Sequence, residues 1–326
     1  MTTFSTIGVL GAGAWGTALA NAAARAGREV VLWDIDAGHI ATLSETRTNA
    51  AYLPGVDLEP AVRPIAAIAD IVDADAVLMV VPAQAMSAAA ENAAIHLRPG
   101  APVISCAKGI ERGSLQFMSQ ILRAVLPDNP AAVLSGPSFA ADVARGLPTA
   151  VTIAADDEWL AADLAASLAS PGLRLYHSDD VLGVEIGGAA KNVLAIGAGI
   201  AAGRGLGASA GAALIARGFA ELRRLGSALG AKPETLMGLS GLGDLVLTAT
   251  TTQSRNFSYG QAIGRGETPP DKLAEGAFTA QALVALGEKH DVELPIAKAV
   301  RDVLERAISV GEAVEELLAR PLKAEV

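Results

Sequence analysis

Residues 6–16 read TIGVLGAGAWG, and a helical pattern follows from Thr17 to Ala26. A short apolar run, then G-x-G-x-x-G, then a helix is the context that a dinucleotide-binding loop requires. Gly11 permits the tight turn, Gly13 lets backbone approach a pyrophosphate, and Gly16 lets helix meet strand. The helix start brings free N–H groups and a positive dipole end to the phosphates. Alone, such a motif is weak. Here a second strand, Arg28–Trp33, ends in Asp34, where an acid for the adenosine ribose belongs. The combined pattern favours a dinucleotide site over a chance glycine loop. Gly197-x-Gly199 has no strand before it and is not read as a second fingerprint.

Strands and helical segments go on alternating. Ala76–Val81 reads as a buried strand closed by Pro82, Gln84–His96 as a helix, and Pro102–Ala107 as a strand leading into Lys108. Ser114–Leu126 reads as a helix, and Ala131–Leu134 as a strand leading into Ser135-Gly136-Pro137-Ser138. Thr149–Ala154, a helix over Asp156–Ala169 and Leu173–Tyr176 complete the series. This order predicts an α/β domain, residues 1–180, with a mostly parallel sheet covered by helices on both faces. Ligands of such sheets sit beyond the carboxyl ends of the strands, where Gly11, Asp34, Pro82, Lys108 and Gly136 fall. Lys108 is read evenly as a loop lysine or a ligand. The SGPS turn, with Ser138, suits an anion nest.

The alternation ends at Val181–Gly203, VLGVEIGGAAKNVLAIGAGIAAG, which reads as one long helix. Leu182, Ile186, Ala189, Val193, Ile196 and Ile200 make a large apolar side. Lys191 shares the other side with Val184 and with small residues, among them Gly187, Gly188 and Gly199. Interior glycines cost about 1 kcal/mol each against alanine, so they call for a reason. One is close packing, with Lys191 snorkelling to water. The other is a cavity into which Lys191 projects beside Asn192, desolvated and able to pass a proton near neutral pH.

The remainder, within a second domain of residues 181–326, reads as helical. Gly211–Leu229 is a helix with Arg217, Glu221 and Arg224 on its wet face, and Glu234–Thr248 is a helix-loop-helix. Asp244, among glycines and apolar residues, is either a helix cap, the slightly favoured reading, or a buried acid needing a cation. Thr250–Tyr259 is a polar loop whose Ser254, Arg255 and Asn256 could grip a phosphate or stay solvated. Asp271–Gly287, Pro295–Ser309 and Val310–Leu318 read as further helices.

Composition narrows the function. Of the 326 residues 51% are hydrophobic and 18% charged, which predicts a compact globular chain. A formal net charge of −10 argues against a nucleic-acid binder, so anionic ligands would need a few placed cations. The single cysteine, Cys106, excludes an internal disulfide framework and suits a reducing cytosol. No uncharged apolar run reaches about 18 residues, so no stable membrane insertion is expected. The four histidines show no metal-ligand spacing.

With these residues laid out, the chain resembles the bacterial NAD(P)-dependent glycerol-3-phosphate dehydrogenases. The resemblance rests on GAGAWGTALA, SCAKGI, SGPSFA with LPTA, GGAAKNVLAIGAG, GLGDLVLT, SRN and AEG, running from Gly11 to Gly276. It implies a Rossmann-like domain followed by an all-helical one, and a cytoplasmic enzyme. The implied reaction reduces dihydroxyacetone phosphate to sn-glycerol 3-phosphate for phospholipid synthesis, with a phosphorylated triose as partner; a homodimer stays open. By resemblance Lys191 transfers the proton. Lys108, Gly136, Ser138, Asp244, Ser254, Arg255 and Asn256 match substrate positions. Ala14, Trp15, Lys108, Ala140, Arg255, Leu273 and Glu275 match cofactor positions. Relatives often carry serine where Ala14 stands. They often carry a basic residue just after the second strand, where this chain has Asp34-Ile35-Asp36. The expectation is therefore NAD, preferred on account of Asp34, with NADP as the other option. A related 3-hydroxyacid dehydrogenase and a dinucleotide sensor without turnover are the alternatives.

Overall fold

The computed structural model describes residues 2–270 and 274–321. Its strands are β1 (Thr6–Leu10), β2 (Glu29–Trp33), β3 (Val62–Pro64), β4 (Ala76–Met79), β5 (Val103–Ser105), β6 (Ala131–Ser135), β7 (Thr149–Ala155) and β8 (Leu173–Ser178). They form one sheet in the order β3-β2-β1-β4-β5-β6-β7-β8. The first six run parallel, and β7 pairs antiparallel with β6 and parallel with β8. The chain winds outward from β1 in one direction and then resumes beside β1 at β4. That reversal opens a crevice between the carboxyl ends of β1 and β4.

The helices between the strands are α1 (Ala14–Arg25), α2 (Ala37–Thr46), α3 (Met86–Ala94), α4 (Met118–Val125), α5 (Ala140–Ala144) and α6 (Glu158–Leu168). They cover both faces of the sheet. Ile7, Val9 and Leu32 lie in one apolar core, and Leu10, Val31, Val77 and Met79 in another. The period-two alternation along β1 and β2 thus feeds two cores at once, which is why these strands read as continuous apolar runs. Several details differ from the sequence reading: β3 and α5 were not visible in it, β7 reverses direction, and α4 starts at Met118, after Leu115 takes a left-handed φ of 59° that no helix interior accommodates.

Beyond β8 no strand occurs among the described residues. The helices are α7 (Val181–Gly203), α8 (Ala208–Leu229), α9 (Pro233–Met237), α10 (Asp244–Ala249), α11 (Arg255–Arg265), α12 (Glu275–Lys289), α13 (Pro295–Leu304) and α14 (Val310–Leu318). A π-helical turn, Leu239–Gly243, joins α9 to α10. α7 is the axis of this half, packed on by α8, α10, α11, α12 and α13. Its length and mean hydropathy of 1.3 would let it cross a membrane, because Glu185 and Lys191 are its only charges. In the fold the helix is buried at the centre of this half. α7 and α11 meet backbone to backbone: a Cβ at Gly199 would strike the Phe257 carbonyl, and one at Gly260 the Ile196 carbonyl.

The wet face expected of α8 is half right. Arg217 and Arg224 are exposed, but Glu221 is buried and accepts from the N–H groups of Ile296 (2.7 Å) and Ala297 (3.2 Å) at the start of α13. It satisfies donors that the first turn of a helix leaves without internal partners. Burial pushes its carboxyl up to about 7.

Candidate active site

The glycine loop leaves β1 at the reversal point of the sheet. Gly11 has φ 109°, and a side chain there would collide with the Val80 carbonyl beyond β4. Gly16 packs against the Gly11 carbonyl with no room for a Cβ. At Gly13, the N-cap of α1, a Cβ would meet nothing within 4 Å, and no side chain caps the helix. An open backbone and an uncapped helix start fit the phosphates of a dinucleotide. Ala14, Trp15 and Ala140 lie half-buried against the core beneath this loop. Asp34 sits at the same edge, accepting from the N–H of Ala12 (2.6 Å) and of Asp36 (3.0 Å).

Next along this edge is the chemistry-bearing cluster. Lys191, in the middle of α7, is 6% exposed. Its Nζ donates to Asp244 Oδ1 at 2.6 Å and to Thr248 Oγ1 at 2.8 Å. The other oxygen of Asp244 accepts from Lys108 Nζ at 2.7 Å, and Lys108 also donates to the Gly136 carbonyl at 2.9 Å. One carboxylate, 1% exposed, is thus shared by a lysine from the sheet edge and a lysine from the helical half. Asp244 is the buried acid with cationic partners, which overturns the slightly favoured helix-cap reading; Gly243 is the N-cap of α10. Burial draws the Lys191 pKa down to about 8; Asp244 opposes that shift and Lys108 adds to it.

The small residues of α7 serve this cluster by contact. A Cβ at Gly187 would lie 2.6 Å from the Ser240 carbonyl oxygen, and one at Gly188 would lie 2.6 Å from Ser135 Oγ and 3.4 Å from Lys108 Cγ. Without side chains at these two positions, the π-helical turn and the end of β6 close on the helix. That brings Asp244 and Lys108 to Lys191. Both sequence readings are therefore half right. The glycines are for close packing, yet Lys191 is desolvated and does not reach water.

The Ser254-Arg255-Asn256 segment is no loop: Arg255 and Asn256 begin α11 and Ser254 caps it, accepting from the Phe257 N–H at 3.2 Å. Ser254 and Asn256 are buried and Arg255 is exposed. Asn256 donates to Asn192 Oδ1 (2.9 Å) and accepts from the Gly276 N–H (3.0 Å), so it ties α7, α11 and α12 together. Only the Arg255 guanidinium is left to reach outward, and among the described residues it has no hydrogen-bond or ion-pair partner. Glu275 opens α12 half-buried; burial raises its pKa, against the pull of Arg255, Lys191 and Lys108. Ser138 turns its hydroxyl back to the Gly136 carbonyl (3.1 Å). Leu273 lies outside the described residues. One residue escaped the sequence reading of the site, Thr248, one helical turn after Asp244; Asn192, read beside Lys191, proves to be the bridge to Asn256. The spacing of four from Asp244 to Thr248 was the available signal for Thr248.

Taken together, a buried ammonium with a pKa near neutrality lies beside a second lysine, an outward guanidinium and an open dinucleotide loop. Such a site can hold an anionic substrate and move one proton. Residues 6–161 match the family described as NAD-dependent glycerol-3-phosphate dehydrogenase N-terminus, and residues 180–315 its C-terminus counterpart. The chain is 60% identical over 327 aligned positions to a glycerol-3-phosphate dehydrogenase [NAD(P)+] of Azorhizobium caulinodans, covering all of both chains. It is 59% identical to that of Methylobacterium radiotolerans over 98% of each. Among solved structures, glycerol-3-phosphate dehydrogenase from Coxiella burnetii superposes with a TM-score of 0.92 at 37% identity, covering 97% of this chain and 99% of that one.

Proposed function

Because the chain belongs to the NAD-dependent glycerol-3-phosphate dehydrogenase family, we propose that the Lys108–Asp244–Lys191 cluster is where its reaction takes place. The activity is that of an NAD(P)-dependent glycerol-3-phosphate dehydrogenase, interconverting dihydroxyacetone phosphate and sn-glycerol 3-phosphate, the backbone of glycerophospholipids. The nicotinamide, when bound, supplies the hydride. The observation that carries the site assignment is the buried Lys191 ammonium bonded to Asp244 in the middle of α7.

In this reading Lys191 Nζ gives its proton to the ketone oxygen as hydride reaches the carbon, and stabilises the charge that develops there. In the reverse direction the neutral amine takes the proton from the hydroxyl. Asp244 and Thr248 fix the direction of the Nζ protons, and Lys108 adds positive charge. Arg255 grips the phosphate, with Asn256 holding the start of α11 in place, and that grip orients the carbonyl. Gly136 and Ser138 shape the wall beside Lys108. Residues 1–180 would then carry the cofactor and residues 181–326 the proton chemistry. Following cofactor absorbance with dihydroxyacetone phosphate against 3-oxoacids tests the reading. Oxidation of reduced cofactor with the triose phosphate alone is expected; equal rates with a 3-oxoacid would sink it.

The proposal extends to cofactor choice: NADH over NADPH. Asp34 ends β2, Ile35 beside it is 85% exposed, and Asp36 caps α2, so no cation stands among residues 34–38. His39, the nearest candidate, points its Nε2 at the Ala12 carbonyl, 3.1 Å away. A carboxylate facing a 2′-phosphate leaves both anions unpaired, which costs several kcal/mol when partly desolvated. The check is kcat/KM for both cofactors in wild type and in Asp34→Ser with Ile35→Arg. Wild type should favour NADH and the double variant should move towards NADPH. A wild-type preference for NADPH would withdraw the assignment.

A further inference from the structure

Resting on the reading of residues 11–16 as the dinucleotide loop, we propose that Asn49 is a positioning residue for cofactor binding, acting through the Ala12 carbonyl. Asn49 lies in the connection between α2 and β3, is 1% exposed, and belongs to no part of the site described above. Its Nδ2 donates to the Ala12 carbonyl at 2.8 Å and to Thr17 Oγ1 at 2.7 Å, while its Oδ1 accepts from the Tyr52 N–H at 3.2 Å. Thr17 Oγ1 (3.3 Å) and His39 Nε2 (3.1 Å) converge on the same carbonyl, and Asp34 holds the Ala12 N–H at 2.6 Å. Four side chains, Asn49, Thr17, His39 and Asp34, are thus spent on orienting the second residue of a six-residue loop.

The consequence follows from peptide geometry. In a trans peptide the C=O and the following N–H point in opposite directions, and the described chain has no cis bond. Drawing the Ala12 carbonyl inward to Asn49 turns the Gly13 N–H outward. That N–H has no acceptor among the described residues, and a Cβ at Gly13 would meet nothing within 4 Å. Asn49 therefore presets the donor that a pyrophosphate would meet, so binding does not have to order it. A peptide that flips freely would lose that donor for part of the time, and the cost would fall on cofactor affinity.

The test uses two uncharged, nearly isosteric variants, Asn49→Leu and Thr17→Val, in the full chain. Calorimetric titration with NADH and NADPH gives the cofactor Kd, and steady-state kinetics gives KM for dihydroxyacetone phosphate. Asn49→Leu should raise both cofactor Kd values about tenfold or more, and Thr17→Val about threefold, with the triose phosphate KM within a factor of two of wild type. A lower Tm with unchanged cofactor Kd in either variant would make these contacts merely structural and overturn the proposal. So would equal losses for cofactor and triose phosphate. If Asn49→Leu does not fold, Thr17→Val decides alone by the same criterion. A wild-type protein that binds neither cofactor would refute the loop reading itself, a result distinct from both.

Discussion

Replacing Asp244 with asparagine removes the charge on which two lysines lean while keeping the shape of the side chain. Its oxygens lie 2.6 Å from Lys191 Nζ and 2.7 Å from Lys108 Nζ, in a position 1% exposed. At an effective dielectric of about 20, opposite charges about 4 Å apart attract by about 4 kcal/mol. One pKa unit corresponds to about 1.4 kcal/mol, so the Lys191 pKa should fall by up to about three units. The amide oxygen still accepts a hydrogen bond and Lys108 can turn away, so a fall of one to two units is the working figure, on the order of half that bound. Wild-type Lys191, with its pKa drawn down to about 8, is mostly ammonium at pH 7. In Asp244→Asn about half or less would be. The assay is the pH profile of kcat/KM for reduction of dihydroxyacetone phosphate. Wild type should hold a plateau below pH 8 and decline above it, because reduction needs the ammonium. Oxidation of glycerol 3-phosphate, which needs the amine, should rise through the same pH. In the variant the declining limb should move down by at least one unit. A folded Asp244→Asn protein whose limb stays in place would show that Asp244 does not set the protonation of Lys191.

Three further outcomes are expected. Lys191→Ala should lower kcat by about 10²-fold or more with cofactor Kd little changed; a rise in KM alone would remove Lys191 as the acid. Arg255→Ala should weaken dihydroxyacetone phosphate far more than dihydroxyacetone, by about 1.5–3 kcal/mol for a lost charge-assisted contact. Equal losses would show that it does not read the phosphate, and a parallel cofactor titration separates any effect on cofactor binding. Glu185, on α7, accepts from the N–H (2.8 Å) and hydroxyl (2.6 Å) of Ser119 in α4, and burial pushes its carboxyl up to about 7. A carboxyl with a raised pKa holds its proton in the folded state after the unfolded chain has lost it, so stability falls as pH rises from about 4.5 to about 7. Glu185→Gln should therefore gain in Tm relative to wild type between pH 5 and pH 8; a pH-independent difference would contradict this.

Much of the sheet was legible because its signals are local. β1 and the glycine loop were read to the residue, since a buried parallel strand must be continuously apolar and the turn after it admits only glycine at Gly11. β3 escaped because Val62-Arg63-Pro64 carries neither length nor alternation; it is a strand only because Val30 to Leu32 stand beside it. The reversal of β7 is likewise set by a neighbour, as Ala132–Ser135 pair with it antiparallel while nothing in Thr149–Ala155 records a direction. Glu221 misled the helical pattern for the same reason. Its burial is required by the unpartnered N–H groups of α13, which begin some 75 residues later in the chain.

The candidate site was legible by residue type and illegible by partner. Lys191 stood out because a lysine among glycines has only two physical explanations, and they differ solely in what lies opposite. That is a long-range property: Ser135 and Lys108 come from the sheet edge to Gly188, and Ser240 comes from the π-helical turn to Gly187. Asp244 shows the reverse error. In sequence a carboxylate at the start of a short helix, flanked by glycine, is most economically a cap, because capping needs no knowledge of the rest of the chain. Only the fold supplies two ammonium groups within 2.7 Å of a carboxylate buried to 1%, where an unpaired charge would be costly. The same condition runs the other way for Lys191. Burial alone would strip its proton, and Asp244 restores enough of the ammonium for the pKa to stand at about 8 instead of lower. A residue that must give up a proton in one direction and accept it in the other works best with its pKa near the ambient pH. The small face of α7 and the acid that packs against it are therefore one arrangement, in which tight contact sets both the position of Lys191 and its pKa.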